Sequence, residues 1–379
     1  MLKEEAGLGA CLARRALPPR PEGRGFPRKL MNPLHQRALE TFKTQMSPLA
    51  AYIDDPAVQE IMVNSHSDIW IEKAGVMQKI EGLEIEDLRL RAAIKALASA
   101  NDRNSVTSIM DARMPGYRIA AALYPVAVRG NALCIRKHNA SSKQLYDYVE
   151  SGALEPACRQ KHDAEHAQAA SVEDYLSRHA DDVRKGGVAL YDFLRWCIRA
   201  RLNFIVAGAT GSGKTTLMNA LLGEIPPEDR VLTLEDTAEL KVRVPNYVGL
   251  EANPSENIDI RALVRLSLRF RPDRIVVGEV RGPEAYDLID AMNTGHSGGG
   301  CTLHADSALF ALYRMENMVR MSPNAHNLPL MALRALIAQT FRLVIFCSRL
   351  GGIRRPVEVA VVDGIGDDGG YRTRAVYLA

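Results

Sequence analysis

No run in this sequence approaches the roughly 18 uninterrupted apolar residues of a membrane-spanning helix, so none is expected. Charge of one sign is also lacking. Lys and Arg number 48 against 45 Asp and Glu, and a net charge of +3 excludes a strong general attraction to DNA or acidic membranes. Paired cysteines are missing too. Cys11, Cys134, Cys158, Cys197, Cys301 and Cys347 contain no C-x-x-C, which excludes a four-cysteine zinc knot and gives no disulfide framework. Residues 1–30 hold no long apolar core ahead of a small-residue cleavage site, so no secretory signal is expected. Arg14-Arg15 is followed by Pro18-Pro19 rather than by an apolar run. Thiols in a chain without an export signal are expected to be reduced and mostly buried.

What remains is an ordinary globular profile. The chain has 379 residues, 47% apolar and 25% charged, which is enough for two or more domains. Residues 1–30 read as a disordered basic tail, with seven Lys and Arg and the prolines Pro18, Pro19, Pro21 and Pro27. Residues 31–140 read as a small N-terminal α/β domain. Within it, 56–62 is expected as a short helix and 88–100 as a longer one, with strands at 69–72, 119–124 and 132–135. Residues 141–187 are polar and Ala-rich, a linker or inserted helical arm closed by Gly186-Gly187. From 188 to 379, short apolar runs at 204–207, 231–234, 275–277 and 301–303 alternate with helical segments. That alternation implies a doubly wound parallel α/β sheet. Near the end, 357–362 and 375–378 flank a glycine-rich turn and read as a hairpin.

Gly208-Ala209-Thr210-Gly211-Ser212-Gly213-Lys214-Thr215 fits G-x-x-x-x-G-K-[ST] in full, with a strand before it and a helix from Thr216 after it. Glycines allow backbone N–H groups to wrap a phosphate chain with no Cβ in the way, and the helix N-terminus adds positive character. Lys214 is placed to bridge the β- and γ-phosphates of ATP, and the Thr215 hydroxyl to ligate Mg²⁺. These eight residues and Thr216 are the candidate nucleotide-binding set.

Hydrolysis needs carboxylates as well. Ile275-Val276-Val277-Gly278-Glu279 is an apolar strand ending in an acid, although glycine stands where another apolar residue is usual. Glu235 and Glu239 follow a second strand. Strand ends of this kind converge on the phosphate loop. His296 and His304 flank a glycine-rich stretch just beyond, and an imidazole there could sense a γ-phosphate by a hydrogen bond lost after cleavage.

Taken together, four ordered elements resemble the secretion ATPase superfamily, the motors of type II and type IV secretion and of type IV pili. They are the phosphate loop, the acidic box Thr233–Leu240, the strand segment Arg271–Gly282, and the histidine box running from Asn293 through His296 to His304 and Ala305. Glu60–Asn64 followed by Ile69–Glu72 is similar to the N-terminal domain of the type IV branch, and the nearest likeness is to conjugal transfer ATPases of the TrbB type. The resemblance implies a RecA-like P-loop ATPase domain behind a smaller α/β domain. It implies Glu239 as the water-polarising acid, Glu279 as the acid on the Mg²⁺ side, and His296 and His304 as the histidine box. It implies that Arg118 and Arg136, and less directly Arg113, reach the phosphates from the first domain. It further implies a homo-oligomer, a hexamer in the family. The chain would then sit in the cytoplasm against the inner membrane and work with secretion-channel or coupling proteins, without sequence-specific nucleic-acid binding. The longer 155–187 stretch departs from the family pattern.

Other readings stand beside this one. They are a pilus-assembly motor, a RecA-like nucleic-acid motor, and a module that uses ATP only as a switch. His162-Asp163-Ala164-Glu165-His166 fits a metalloprotease pattern but sits in a polar arm, where a solvated helical face is expected. Arg261, Arg265 and Arg269 share one helix face, read as a solvated stripe or a subunit contact.

Overall fold

Alternating side chains along the first strands bury both faces of a sheet, and this sets the architecture. The computed structural model describes residues 33–100, 108–138 and 171–379, which fall in a single compact unit. The expected tail at 1–30, the arm from 141 to 170 with its H-x-x-E-H stretch, Cys11 and Cys158 lie outside the described residues.

Six antiparallel strands form the first sheet: β1 (Val58–Val63), β2 (Ile69–Lys73), β3 (Val76–Ile80), β4 (Ile109–Met114), β5 (Tyr117–Ala122) and β6 (Ala132–Lys137). Their order is β3-β2-β1-β6-β5-β4. Ile61, Val63, Ile119, Leu133 and Ile135 face helices α1 (Pro33–Gln45), α2 (Ala50–Asp54) and α3 (Asp87–Ala100). Met62, Ala120, Ala122 and Cys134 face the other way, into the core shared with the rest of the chain. Two buried faces explain one correction. The stretch 56–62, expected as a short helix, is strand β1 over 58–63. Its consecutive apolar residues Ile61-Met62-Val63 mimic a buried helix because neither face needs a polar residue.

The second sheet has eight strands: β7 (Phe204–Gly208), β8 (Val231–Glu235), β9 (Tyr247–Glu251), β10 (Arg274–Val277), β11 (Gly300–Leu303), β12 (Leu343–Leu350), β13 (Ile353–Ile365) and β14 (Tyr371–Leu378). The order is β14-β13-β12-β7-β11-β10-β8-β9. Strands from β12 to β9 in that order are parallel, while β13 and β14 add an antiparallel edge. Helices α4 (Val172–Lys185), α5 (Gly187–Arg199) and α6 (Lys214–Leu222) cover one face. The other is covered by α7 (Ile260–Ser267), α8 (Glu284–Asn293), α9 (Ala308–Arg320) and α10 (Leu330–Thr340). Val172, Leu176 and Val183 of α4 pack in the same cluster as β7, so the end of the expected arm lies against this sheet. The described thiols Cys134, Cys197, Cys301 and Cys347 are free and buried.

The connection between β5 and β6 docks at the β9 edge. The Val128 amide donates to Gly249 and the Glu251 amide to Val126, at 3.0 and 2.7 Å. Arg271 holds Glu72 at 2.6 Å, and the fully buried Arg230 donates to Asn64 at 2.7 Å. The arginine stripe is tied to neighbouring elements by its charges, while Arg265 in its middle stays exposed. Arg261 and Arg265 both grip Asp287 of α8, at 2.7 and 2.9 Å, and Arg269 approaches Asp111 at 3.5 Å.

Candidate functional site

Strand β7 ends at Gly208 and the chain turns through Ala209–Gly213 into α6. The turn needs its glycines. A Cβ on Gly208 would stand 2.3 Å from the Cys347 carbonyl oxygen of β12 and 2.5 Å from Ser212 Oγ. Gly213, the N-cap of α6, has φ +96°, which side chains disfavour. Thr210, Gly211, Gly213, Lys214, Thr215 and Thr216 line a cavity of about 550 Å³. Ala209 borders a neighbouring cavity beside Thr210 and His304, while Gly208 and Ser212 support the turn from behind. Ser212 Oγ is buried without a partner among the described residues.

Lys214 is buried, and its ammonium donates to the Gly208 and Ala209 carbonyls at 2.8 and 3.0 Å. Burial lowers its pKa, against the pull of Glu279. Its Nζ also stands 3.4 Å from His304 Nδ1, and His304 Nε2 stands 3.2 Å from Glu279 Oε1. A neutral ring can accept from Lys214 at Nδ1, while its approach to Glu279 is not a hydrogen bond, since Glu279 Oε1 is buried without a hydrogen-bond partner among the described residues. Arg281 closes the group, donating to Glu279 Oε2 at 2.8 Å. Burial pushes the Glu279 carboxyl up, but Arg281, His304 and Lys214 outweigh it and hold it below its usual range. The site therefore carries an ionised carboxylate.

Glu235 and Glu239 have different surroundings. Glu239 is exposed and lines the cavity. Glu235 is buried, and its Oε2 accepts the amides of Glu239 and Leu240 at 2.8 and 2.9 Å. It clasps the loop that presents Glu239. Burial raises its pKa, against those two amides. The same side chain accounts for Gly278, because a Cβ there would meet Glu235 Cγ at 2.9 Å. Gly278 is held in turn by Thr302, whose hydroxyl donates to its carbonyl at 2.6 Å.

Other sequence candidates lie apart. His296 Nδ1 sits 3.1 Å from the Ala291 carbonyl at the end of α8, on the entry side of β11, whereas His304 follows its exit. The strand between them is about 13 Å long at 3.3 Å per residue. Arg118 makes a two-pronged contact with Asp111 at 3.1 and 2.8 Å, and Arg136 holds Glu60 at 2.6 Å. Arg113 is exposed on β4 opposite Arg118. None of these arginines lines the cavity. Two residues that do line it had no role in the sequence reading: Arg281 and Arg354. Arg281 carried a signal, standing two positions after Glu279 at the end of the same strand. Arg354 carried none, since only tertiary pairing brings it here.

The cavity fits a nucleotide phosphate chain. A cradle that a Cβ would fill, a buried ammonium held only by carbonyls and an imidazole, and a helix N-terminus converge there. Among the described residues, no three His, Cys, Asp or Glu groups form a metal cage. The hard oxygens of Thr215 and Glu279 fit Mg²⁺, which takes few protein ligands and keeps phosphate and water oxygens.

Comparison with known proteins agrees with this geometry. The model of the Type II/IV secretion system protein family matches residues 186–361. A putative conjugal transfer protein of Mycobacterium tuberculosis is 31% identical over 341 residues, covering 86% of this chain and 87% of the relative. The conjugal transfer protein TrbB of Rhizobium radiobacter is 32% identical over 323 residues, covering 83% of this chain and 87% of the relative. The crystal structure of the VirB11 ATPase of the Brucella suis type IV secretion system, in complex with sulphate, superposes with a TM-score of 0.76. It shares 28% identity and covers 87% of this chain and 97% of that one. With its phosphate loop, its clasped acidic box and likeness along most of its length, the chain belongs to the Type II/IV secretion system protein family and is an ATPase of that family.

Proposed function

We propose that this chain binds ATP with Mg²⁺ over Gly208–Thr216 and uses its hydrolysis as a motor for type IV secretion, most directly conjugative DNA transfer. The observation that carries the reading is the convergence of Lys214, His304, Glu279 and Arg281 on one cavity above the loop. The triphosphate displaces the Gly208 and Ala209 carbonyls from Lys214, which then bridges the β- and γ-phosphates. Thr215 and Glu279 would hold Mg²⁺, which neutralises charge on the leaving phosphates. Glu239, exposed at the rim on a loop fixed by Glu235, orients the attacking water. His304 touches both Lys214 and the acid, so loss of the γ-phosphate changes its partners. Arg118 and Arg136 would have to leave Asp111 and Glu60 before meeting a phosphate oxygen.

The same reading takes 31–140 and 188–379 as its two domains and the working form as a hexameric homo-oligomer. It places the protein at the cytoplasmic face of the inner membrane, engaging channel or coupling proteins. Names of the relatives support conjugation and type IV secretion over pilus assembly. Among the described residues no helix is long and apolar enough to cross a membrane.

Lys214→Ala tests the core of the proposal. The variant should keep its circular dichroism spectrum and lose both nucleotide binding and ATP turnover. Wild-type turnover in the purified variant would refute it.

A further inference from the structure

Strand β12 runs parallel to β7 and places Cys347 beside Gly208, but the hairpin does not stop there. β12 and β13 go on pairing through Ser348↔Arg355, Arg349↔Arg354 and Leu350↔Ile353, beyond the last residue of β7. This overhang carries Arg354 back across the start of α6. A Cβ built on Gly213 would lie 3.2, 3.9 and 3.6 Å from Cβ, Cγ and Cδ of Arg354, so the stem lies along the loop. Arg354 also lines the cavity.

Arg354 is exposed, and no charge among the described residues is paired with it. Arg281 is matched by Glu279 and Asp236, and Lys214 by loop carbonyls. Among the described residues, Arg354 has neither an ion pair nor a side-chain hydrogen bond. A cation beside the positive end of a helix is unfavourable, and a bound anion removes the conflict. The amides at Gly213 and in the first turn of α6 belong to the part of such a loop that cradles the inner phosphates, whereas Lys214, His304 and Glu279 mark the γ end.

Building on the nucleotide reading above, we propose that Arg354 is a nucleotide-binding residue that grips the diphosphate portion shared by ATP and ADP. It is supplied by the hairpin rather than by the phosphate loop or the first sheet.

Titration with a fluorescent ADP analogue, and its displacement by unlabelled ATP, tests this on the full chain. R354A should weaken both nucleotides by about tenfold, the usual effect of losing a charge-assisted hydrogen bond. R354Q keeps the stem across Gly213 and should weaken them similarly, which separates charge from packing. R355A, next on the same strand and outside the cavity, should bind like wild type. Wild-type ADP affinity in R354A and R354Q, with binding lost in K214A, would overturn the proposal and leave the ATPase reading standing. An equal loss in R355A, or a loss confined to ATP, would overturn it too. If K214A itself bound ADP normally, the nucleotide reading would fail first, and this inference with it.

Discussion

Glu235 is an acid whose work is holding rather than reacting. Its carboxylate receives two amides of the loop that presents Glu239, and its stem excludes any Cβ at Gly278. Burial raises its pKa, so the folded protein binds its proton more tightly than the unfolded chain does. That contribution to stability is complete below the unfolded value and is lost as pH rises through the folded one. Glu235→Gln keeps an oxygen for the two amides and cannot ionise. Melting curves from pH 4 to pH 7 should therefore show the variant gaining on wild type as pH rises; a constant or shrinking gap would contradict this. At this scale the sequence was legible where chemistry is local. The phosphate loop, Glu239 and Glu279 each stand in a short motif of their own, and all line the same cavity. Arg354 was not legible, because its place beside Gly213 depends on the hairpin pairing that sets it opposite Arg349. The two histidines looked like one unit in sequence, yet a strand separates them.

Among elements, four of the parallel strands, β7, β8, β10 and β11, were readable because each is a short run buried on both faces, whereas β9 and β12 were not anticipated. The same property hid β1, whose apolar run has the composition of a helix until its pairing with β2 and β6 is known. What sequence did not show is how the entry side of the sheet is tied. Asn203, buried just before β7, donates to Thr340 at the end of α10 and accepts the amides of Gly298 and Gly299 before β11. One side chain thus joins two strands and a helix opposite the phosphate loop. Asn203→Ala leaves those groups buried and unpaired, and should cost about 2–3 kcal/mol of stability by denaturant melting. A loss within error of zero would mean that water replaces the amide.

For the whole molecule, the first sheet is held to the second by contacts that no local pattern announces. Arg230 is buried among Asn64, Asn246 and the Phe270 carbonyl, and burial pushes its guanidinium down to about 10. Arg271 bonds Glu72 across the same boundary. A double-mutant cycle on Glu72→Ala and Arg271→Ala should give a coupling of about 1 kcal/mol. No coupling would mean that the sheets do not dock this way in solution. The placement of β12 has a different reach. A ribosome releases the phosphate loop long before it releases Cys347, whose carbonyl lies against Gly208. Until that late strand arrives, the nascent chain carries the loop's letters without its walls. Nucleotide can meet a finished pocket only after that strand has emerged.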